Sequence, residues 1–481
     1  MKWTYYKIPE ILSDSKNSKD SEDNKIFRVC TYNEVPQNAI AIYCRSTRLT
    51  SLPTLLFKNL QVIDCSYNDF YDSPFSYTLF ESLINLRVLN CSNNNLSGLP
   101  DCLFDNLVNL EKLNCSNNRL ESLPQLKYLT KLTTLDCSCN YLKSLPDLSG
   151  LTNVEEFICC CNYLTSFPNS ILLLNKLQIL DCSHNMLITL PNFLLERLTN
   201  LQELDCSYNK LTSLLCTLYY HPTLNQASQS SQASQSSQSS QLRVINCSNN
   251  KMLTTLPNWA HLTKLTKINC SCCNITHLPE WPYLINLQSI DCSNNNIEMF
   301  NDRFCMNSTK LLFINCSSNK LISLTEWPHL VNLQKINCSY NQLISLPEWT
   351  HLIKMQSVDC FSNKLRSLPE WSTLVNLREI DCSYNQLTSL PEWSHSIKLQ
   401  SIECYNNKLK NIPEWPHLVN LRIIDCAYNL LTSIPTWTHL IHLERIDYSY
   451  NMLKFVPDWT HLAHLEDVRC ISCCKSTKEQ E

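Results

Sequence analysis

Cysteine is the residue through which this chain could do most chemistry, because a thiol can ligate metal, pair as a disulfide or attack as a nucleophile. There are 29 cysteines, and 18 of them fall in one recurring slot: Cys44, Cys65, Cys91, Cys115, Cys137, Cys159, Cys182, Cys206, Cys247, Cys270, Cys292, Cys316, Cys338, Cys360, Cys382, Cys404, Cys426 and Cys470. Tyr448 takes the slot once. The slot alternates with polar residues and is otherwise suited to Leu, so it points inward, where free Cys behaves as a small hydrophobe. Side chains on adjacent parallel strands run side by side about 4.8 Å apart, further than the Cβ atoms of a disulfide sit. Reduced thiols in a cytosol-like compartment are the expectation. Outside the ladder, Cys159-Cys160-Cys161, Cys272-Cys273 and Cys470-x-x-Cys473-Cys474 are dense, and Cys139 and Cys161 share one exposed slot. Zinc wants four converging ligands, commonly from two spaced pairs; these are single clusters, so neither a metal nor any other cofactor is assigned.

Two further columns carry titratable groups. His261, His329, His351, His395, His417, His439 and His461 recur in one slot, but no carboxylate or thiol shares a ligand spacing with them, and a structural or exposed turn role is expected. The residue before the ladder Cys is nearly always Asp, Asn or Glu, and it becomes five acids in succession: Asp359, Asp381, Glu403, Asp425 and Asp447. At a strand spacing of about 4.8 Å each adjacent pair repels by roughly 0.9 kcal/mol even in bulk water. Tyr340, Tyr384, Tyr428 and Tyr450 lie two places after the ladder slot. An acidic stripe edged by Tyr suits a basic peptide or protein face. The competing reading is that these acids came with a duplicated unit, pair with the Ser column and are screened by Arg378, Arg422 and Arg445.

These columns are positioned by one repeated unit. Leu377–Lys398 reads LREIDCSYNQLTSLPEWSHSIK and the next 22 residues follow the same frame. A fixed period means stacked units, each too small to bury its own apolar face. In IDCSYN the alternation predicts a short strand, with Ile and Cys inward and Asp and Ser on the concave surface. The Asn that follows ends the strand and is expected to satisfy backbone groups of the turn; Cys273 and Cys473 replace it, which predicts looseness there. Nine of the ten Trp residues share a slot, Trp259, Trp281, Trp327, Trp349, Trp371, Trp393, Trp415, Trp437 and Trp459, where they are expected to roof the convex side with the indole N–H paired to backbone.

The chain divides into a non-repeat segment 1–38, repeats of 22–26 residues over 39–224, a Ser/Gln tract 225–241, mostly 22-residue LPEW repeats over 242–473, and a polar tail 474–481. About 19 repeats fit. Longer descending halves such as Leu99–Leu110 allow a helical turn; the Pro of LPEW favours extended and 3-10 segments. The Ser/Gln tract has nothing to bury and reads as a disordered excursion at the solenoid rim. Residues 1–25 lack an apolar signal region and no run approaches 18 apolar residues, so neither export nor a membrane span is expected. Net charge is −4, which supplies no field for nucleic acid or anionic membrane. Only two glycines occur, too few for a phosphate-cradling loop. No nucleophile–base pair stands outside the repeat grammar, so the chain reads as non-enzymatic.

The frame Leu-x-x-Ile-x-Cys-x-x-Asn-x-Leu resembles the leucine-rich repeat, and its wording, L-x-x-L/I-D/N-C-S-x-N with LPEW, is similar to that of the leucine-rich-repeat proteins of giant amoeba-infecting DNA viruses. The resemblance implies an α/β repeat solenoid: a right-handed horseshoe with a concave parallel sheet and short helical, 3-10 or extended convex segments. It also implies a protein-interaction scaffold, here a monomer binding a protein or peptide, in the host cytoplasm if viral. Ile8-Pro9-Glu10-Ile11-Leu12 is faintly similar to the opening of an F-box, which leaves a ubiquitin-ligase substrate receptor as the alternative.

Overall fold

The structure, a computed structural model, describes residues 26–28, 39–50, 58–72, 80, 82–214, 240–455 and 457–471. Ser13–Lys25, Ile8–Leu12, Cys473, the tail 474–481 and the Ser/Gln tract up to residue 239 lie outside them.

Each repeat contributes a strand of three residues, and the strands form one 20-stranded parallel sheet in which every coil pairs with the next. Register is constant: Glu379, Ile380 and Asp381 face Ser401, Ile402 and Glu403. Three residues cannot hold a strand alone; a fixed register lets each side-chain type stack on its own kind down the sheet. The sheet reaches into the segment set apart as non-repeat, because Ile26–Arg28 pairs with Ala41–Tyr43. Across the Ser/Gln tract the ladder is unbroken, with Glu203–Asp205 paired directly to Val244–Asn246. The last two residues of that tract join the coil: Ser240 is buried, and the Gln241 N–H donates to the Thr199 carbonyl at 3.0 Å.

Opposite the sheet there is little helix. A 3-10 segment covers Asn169–Leu173 and a single α-turn Leu194–Arg197. Leu99–Leu110 does not form the helical turn its length allows. It makes isolated turns instead, with Leu103 N–H on Pro100 O at 2.9 Å and Leu107 N–H on Phe104 O at 3.1 Å. The LPEW coils likewise show no 3-10 helix among the described residues; single bonds such as Leu374 N–H to Trp371 O, 2.9 Å, close one turn each. One bond per turn does not nucleate a helix.

The core is continuous. In one coil Leu377, Ile380, Cys382, Leu387 and Trp393 are all buried and stack on their equivalents above and below. The Trp column lies wholly inside. Its rings stack from Trp349 to Trp459 with centroids 5.8–6.5 Å apart, and the indole N–H donates to the preceding coil, as in Trp371 to Pro347 O at 3.0 Å. Phe300 and Phe304 interrupt the column between Trp281 and Trp327. The Trp327 indole N–H has no partner. Seven of these Trp sit at φ of 42–47°, a left-handed conformation that costs a side-chain-bearing residue roughly 1–2 kcal/mol. Full burial of the indole offsets it.

The Asn column ties coils together. Asn385 Nδ2 faces the carbonyls of Cys360, Cys382 and Ser383 at 3.0–3.1 Å, and its Oδ1 accepts the Leu365 N–H at 2.9 Å. Where Cys273 replaces Asn, the backbone finds other partners. The preceding coil carries one extra residue, and its Leu253 N–H turns back onto Asn250 O at 2.9 Å. The amide an Asn would have satisfied is satisfied locally.

Candidate protein-binding face

The ladder thiols are structural. Twenty-four described cysteines are free, and those of the ladder are buried except Cys470, which is exposed and disulfide-bonded. Cys382 shows the local arrangement: its N–H and its S–H both point to Glu403 O, at 2.8 and 3.3 Å. Burial pushes the ladder thiols up, Cys91 to about 12, so they hold almost no thiolate and are poor nucleophiles. Most of the His column is exposed or has a backbone partner, such as His439 Nε2 on Trp415 O at 2.9 Å, whereas the half-buried His261 has no partner for Nε2. Among the described residues no three His, Cys, Asp or Glu side chains converge as a metal set.

The acidic column is continuous on the concave face. Asp359 pairs with Asp381, Asp381 with Glu403, Glu403 with Asp425, and Asp425 with Asp447. It is flanked by Asn337 before and Arg469 after. Each Asp also has a local duty: Oδ1 accepts the N–H two residues on, as in Asp381 to Ser383 at 3.0 Å and Asp425 to Ala427 at 3.1 Å. Asn does this job equally well, since Asn337 Oδ1 accepts the Ser339 N–H at 3.0 Å. The fold therefore asks for an acceptor at this slot and not for a charge.

The second carboxylate oxygen separates the coils. Asp205 Oδ2 accepts from Asn246 of the next coil at 2.9 Å, and Asp291 Oδ2 from Asn315 at 3.1 Å. From Asp359 to Asp425 the next coil offers another acid, so that donor is lost; Asp447 faces Arg469. Half-burial raises the pKa of Asp381, Glu403 and Asp425, and of Asp359 to about 6; neighbouring acids add to it at Asp359, Glu403 and Asp425, while Arg445 opposes it at Glu403 and Asp425. The screening arginines are largely engaged elsewhere. Arg422 pairs with Glu444 at 3.2 Å and Arg445 with Asp467 at 3.5 Å.

Tyr340, Tyr384, Tyr428 and Tyr450 are exposed and sit at φ of 53–56°. The left-handed turn throws the ring off the strand to the rim of the concave face. Two aromatics that repeat grammar alone did not single out complete the row. Phe361 and Tyr405 replace the Ser after the ladder Cys, and their rings bridge the column: Tyr340–Phe361 5.0 Å, Phe361–Tyr384 5.1 Å and Tyr384–Tyr405 5.0 Å between centroids. Their signal was the broken frame, C-F-S-N and C-Y-N-N in place of C-S-Y-N. A second exposed row, Val331, Ile353, Val375, Ile397, Val419 and Ile441, lies away from the sheet and was also not anticipated.

Parallel three-residue strands, an inward Asn and stacked 22-residue coils define a leucine-rich-repeat solenoid with a horseshoe shape. Residues 84–128 and 375–417 match the family described as Leucine Rich repeats (2 copies), and residues 200–220 match Leucine Rich Repeat. Among solved structures, YopM of Yersinia enterocolitica is 28% identical, with a TM-score of 0.69 over 89% of this chain and 81% of YopM. A leucine-rich-repeat protein of Leptospira interrogans is 25% identical, TM-score 0.64, over 85% and 95%. Toll, solved in the Drosophila Toll–Spatzle complex, shares the fold at 21% identity and TM-score 0.66, over 90% of this chain and 58% of that one. No curated protein matches the chain in sequence. Proteins of this architecture are in general interaction scaffolds without enzymatic chemistry. No helix among the described residues is long and apolar enough to cross a membrane.

Proposed function

We propose that this chain is a non-enzymatic scaffold that holds a basic protein or peptide on its concave face, along Asp359, Asp381, Glu403, Asp425 and Asp447 and the rim Tyr340, Tyr384, Tyr428 and Tyr450. The observation that carries the reading is five consecutive carboxylates where the turn needs only an acceptor and Asn serves elsewhere, four of them facing another acid in the next coil. A charge the fold does not need, kept at a conformational disadvantage, belongs to binding. Toll, of the same architecture, was solved with Spatzle bound. Burial by itself keeps the ladder thiols reduced, and the one exposed ladder cysteine, Cys470, is disulfide-bonded against the expectation of reduced thiols, so a cytoplasmic setting does not rest on the ladder. Action on host proteins is an extension that rests on the wording of the repeat alone, and the ligase alternative rests on Ile8–Leu12.

The test is proximity labelling with the native chain and with a variant carrying D359N, D381N, E403Q, D425N and D447N. Partners enriched by the native chain should be lost with the variant. Survival of every partner refutes the concave reading, and recovery of ligase subunits by residues 1–60 would restore the alternative.

A further inference from the structure

The tyrosine column shows, at its own N-terminal end, what it can hold. Asp64-Cys65-Ser66-Tyr67 has the frame of Asp381-Cys382-Ser383-Tyr384. Tyr67 has the same left-handed backbone, φ 57° against 53°. Over the Tyr67 ring lies the guanidinium of Arg45, 4.6 Å from the centroid, supplied by the preceding coil. Tyr208, in a third copy of the frame, is covered by the His184 imidazole of its preceding coil at 4.1 Å. In the C-terminal half the preceding coils supply no cation. Tyr384 meets Phe361, and Tyr450 meets Tyr428 at 4.2 Å. The frame that meets a cation at Tyr67 meets only aromatic rings at Tyr384, Tyr428 and Tyr450, each about as exposed as Tyr67 and each with its Asp three residues earlier.

The spacing sets a second condition. Tyr340, Tyr384 and Tyr428 are two coils apart, because Ser362 and Asn406 take the slot between them. Two coils advance by about 9.6 Å at the strand spacing of parallel sheets. A polyproline II segment advances about 9.3 Å per three residues and returns its side chain to the same face. An extended β segment would instead present same-face residues about 6.8 Å apart, out of step with the column.

On the strength of the scaffold reading, we infer that the C-terminal concave rim binds an arginine-bearing segment in polyproline II conformation, with arginine at every third position. At Tyr384 and Tyr428 each guanidinium lies on the Tyr face and hydrogen-bonds to the second oxygen of Asp381 or Asp425, while Tyr340, preceded by Asn337, offers the ring alone. Arginine is favoured over lysine because a planar guanidinium both stacks and donates in a fork.

The experiment is fluorescence anisotropy with the full chain and labelled peptides: Arg-Pro-Pro repeated four times, Lys-Pro-Pro repeated four times, and Arg-Pro repeated six times. The first should bind at least tenfold more tightly than either of the others. The variant with Y384N and Y428N should weaken it roughly 5- to 30-fold, the loss of two cation–π contacts. This variant keeps the fold, because Asn406 occupies the same slot with φ 55°. Equal binding of Lys-Pro-Pro, equal binding of Arg-Pro, or indifference to the Tyr substitutions overturns the inference. If no peptide binds while the labelled partners still depend on the five acids, the arginine inference fails and the scaffold reading stands. If those partners are also indifferent to the acids, both fail.

Discussion

Replacing the five acids of the concave stripe by their amides, D359N, D381N, E403Q, D425N and D447N together, should make the protein more stable. The stripe contains four neighbouring pairs in register. At about 4.8 Å each pair repels by roughly 0.9 kcal/mol in water, about 3.5 kcal/mol in all. Half-burial strengthens the repulsion, while Arg445 and partial protonation weaken it, so a net gain of about 2–4 kcal/mol at pH 7 is expected. The local hydrogen bonds survive, because Asn caps the same turn in other coils. The sign with pH follows from burial. Asp359, Asp381, Glu403 and Asp425 titrate higher in the folded chain than in the unfolded one, Asp359 at about 6 against an ordinary 3.8. Folding therefore favours their protonated form; the stability is present below about pH 4 and is lost as pH rises through the folded value. The gain of the variant should be full at pH 7 and nearly gone at pH 4. Urea unfolding at low salt, followed by the fluorescence of the Trp column, measures both midpoints. A variant less stable than the native chain at pH 7, or a gain equal at both pH values, would refute the claim that the charges are foreign to the fold.

Three other outcomes are expected. Asn407→Ala should destabilise by about 1–3 kcal/mol, because it strands the buried Leu387 N–H now held at 3.0 Å; Cys273→Asn should change the urea midpoint little, since Leu253 already has its partner. Trp371→Phe should cost about 1–2 kcal/mol more than Trp327→Phe in the same assay, as only Trp371 loses an indole hydrogen bond. Ellman's reagent at pH 8 should react quickly with exposed Cys102 and Cys161 and reach the ladder thiols only in denaturant; rapid titration of twenty or more thiols would contradict their burial.

The slots that serve stacking were readable because stacking repeats itself. Leu, Ile, Cys, Asn and Trp each do one job in every coil, so periodicity alone announced inward Cys382, turn-closing Asn385 and roofing Trp393. The acidic stripe was readable as a column, but its hydrogen bond to the amide two residues on depends on turn geometry that spacing does not encode. The rim was half legible. Tyr384 follows the frame, whereas Tyr405 breaks it, and a broken frame is easily taken for drift. At Cys273 the partner of the orphaned amide lies one coil earlier, in a single extra residue that the slot itself does not show. The left-handed slots were hidden because Asn, Tyr, Ser, Cys and His fill them in a chain with almost no glycine.

The interrupted Trp column has an optical consequence. Rings held parallel at 5.8–6.5 Å from Trp349 to Trp459 are close enough to pass excitation from one indole to the next before it is emitted. Trp259 and Trp281 form a separate pair, cut off by Phe300 and Phe304. Light absorbed in the C-terminal half passes along six chromophores, and because neighbouring planes lie only 7–17° apart each step preserves most of its polarisation. A coil that slips turns its ring away from the others, so loss of polarisation reports disorder of the stack without a label.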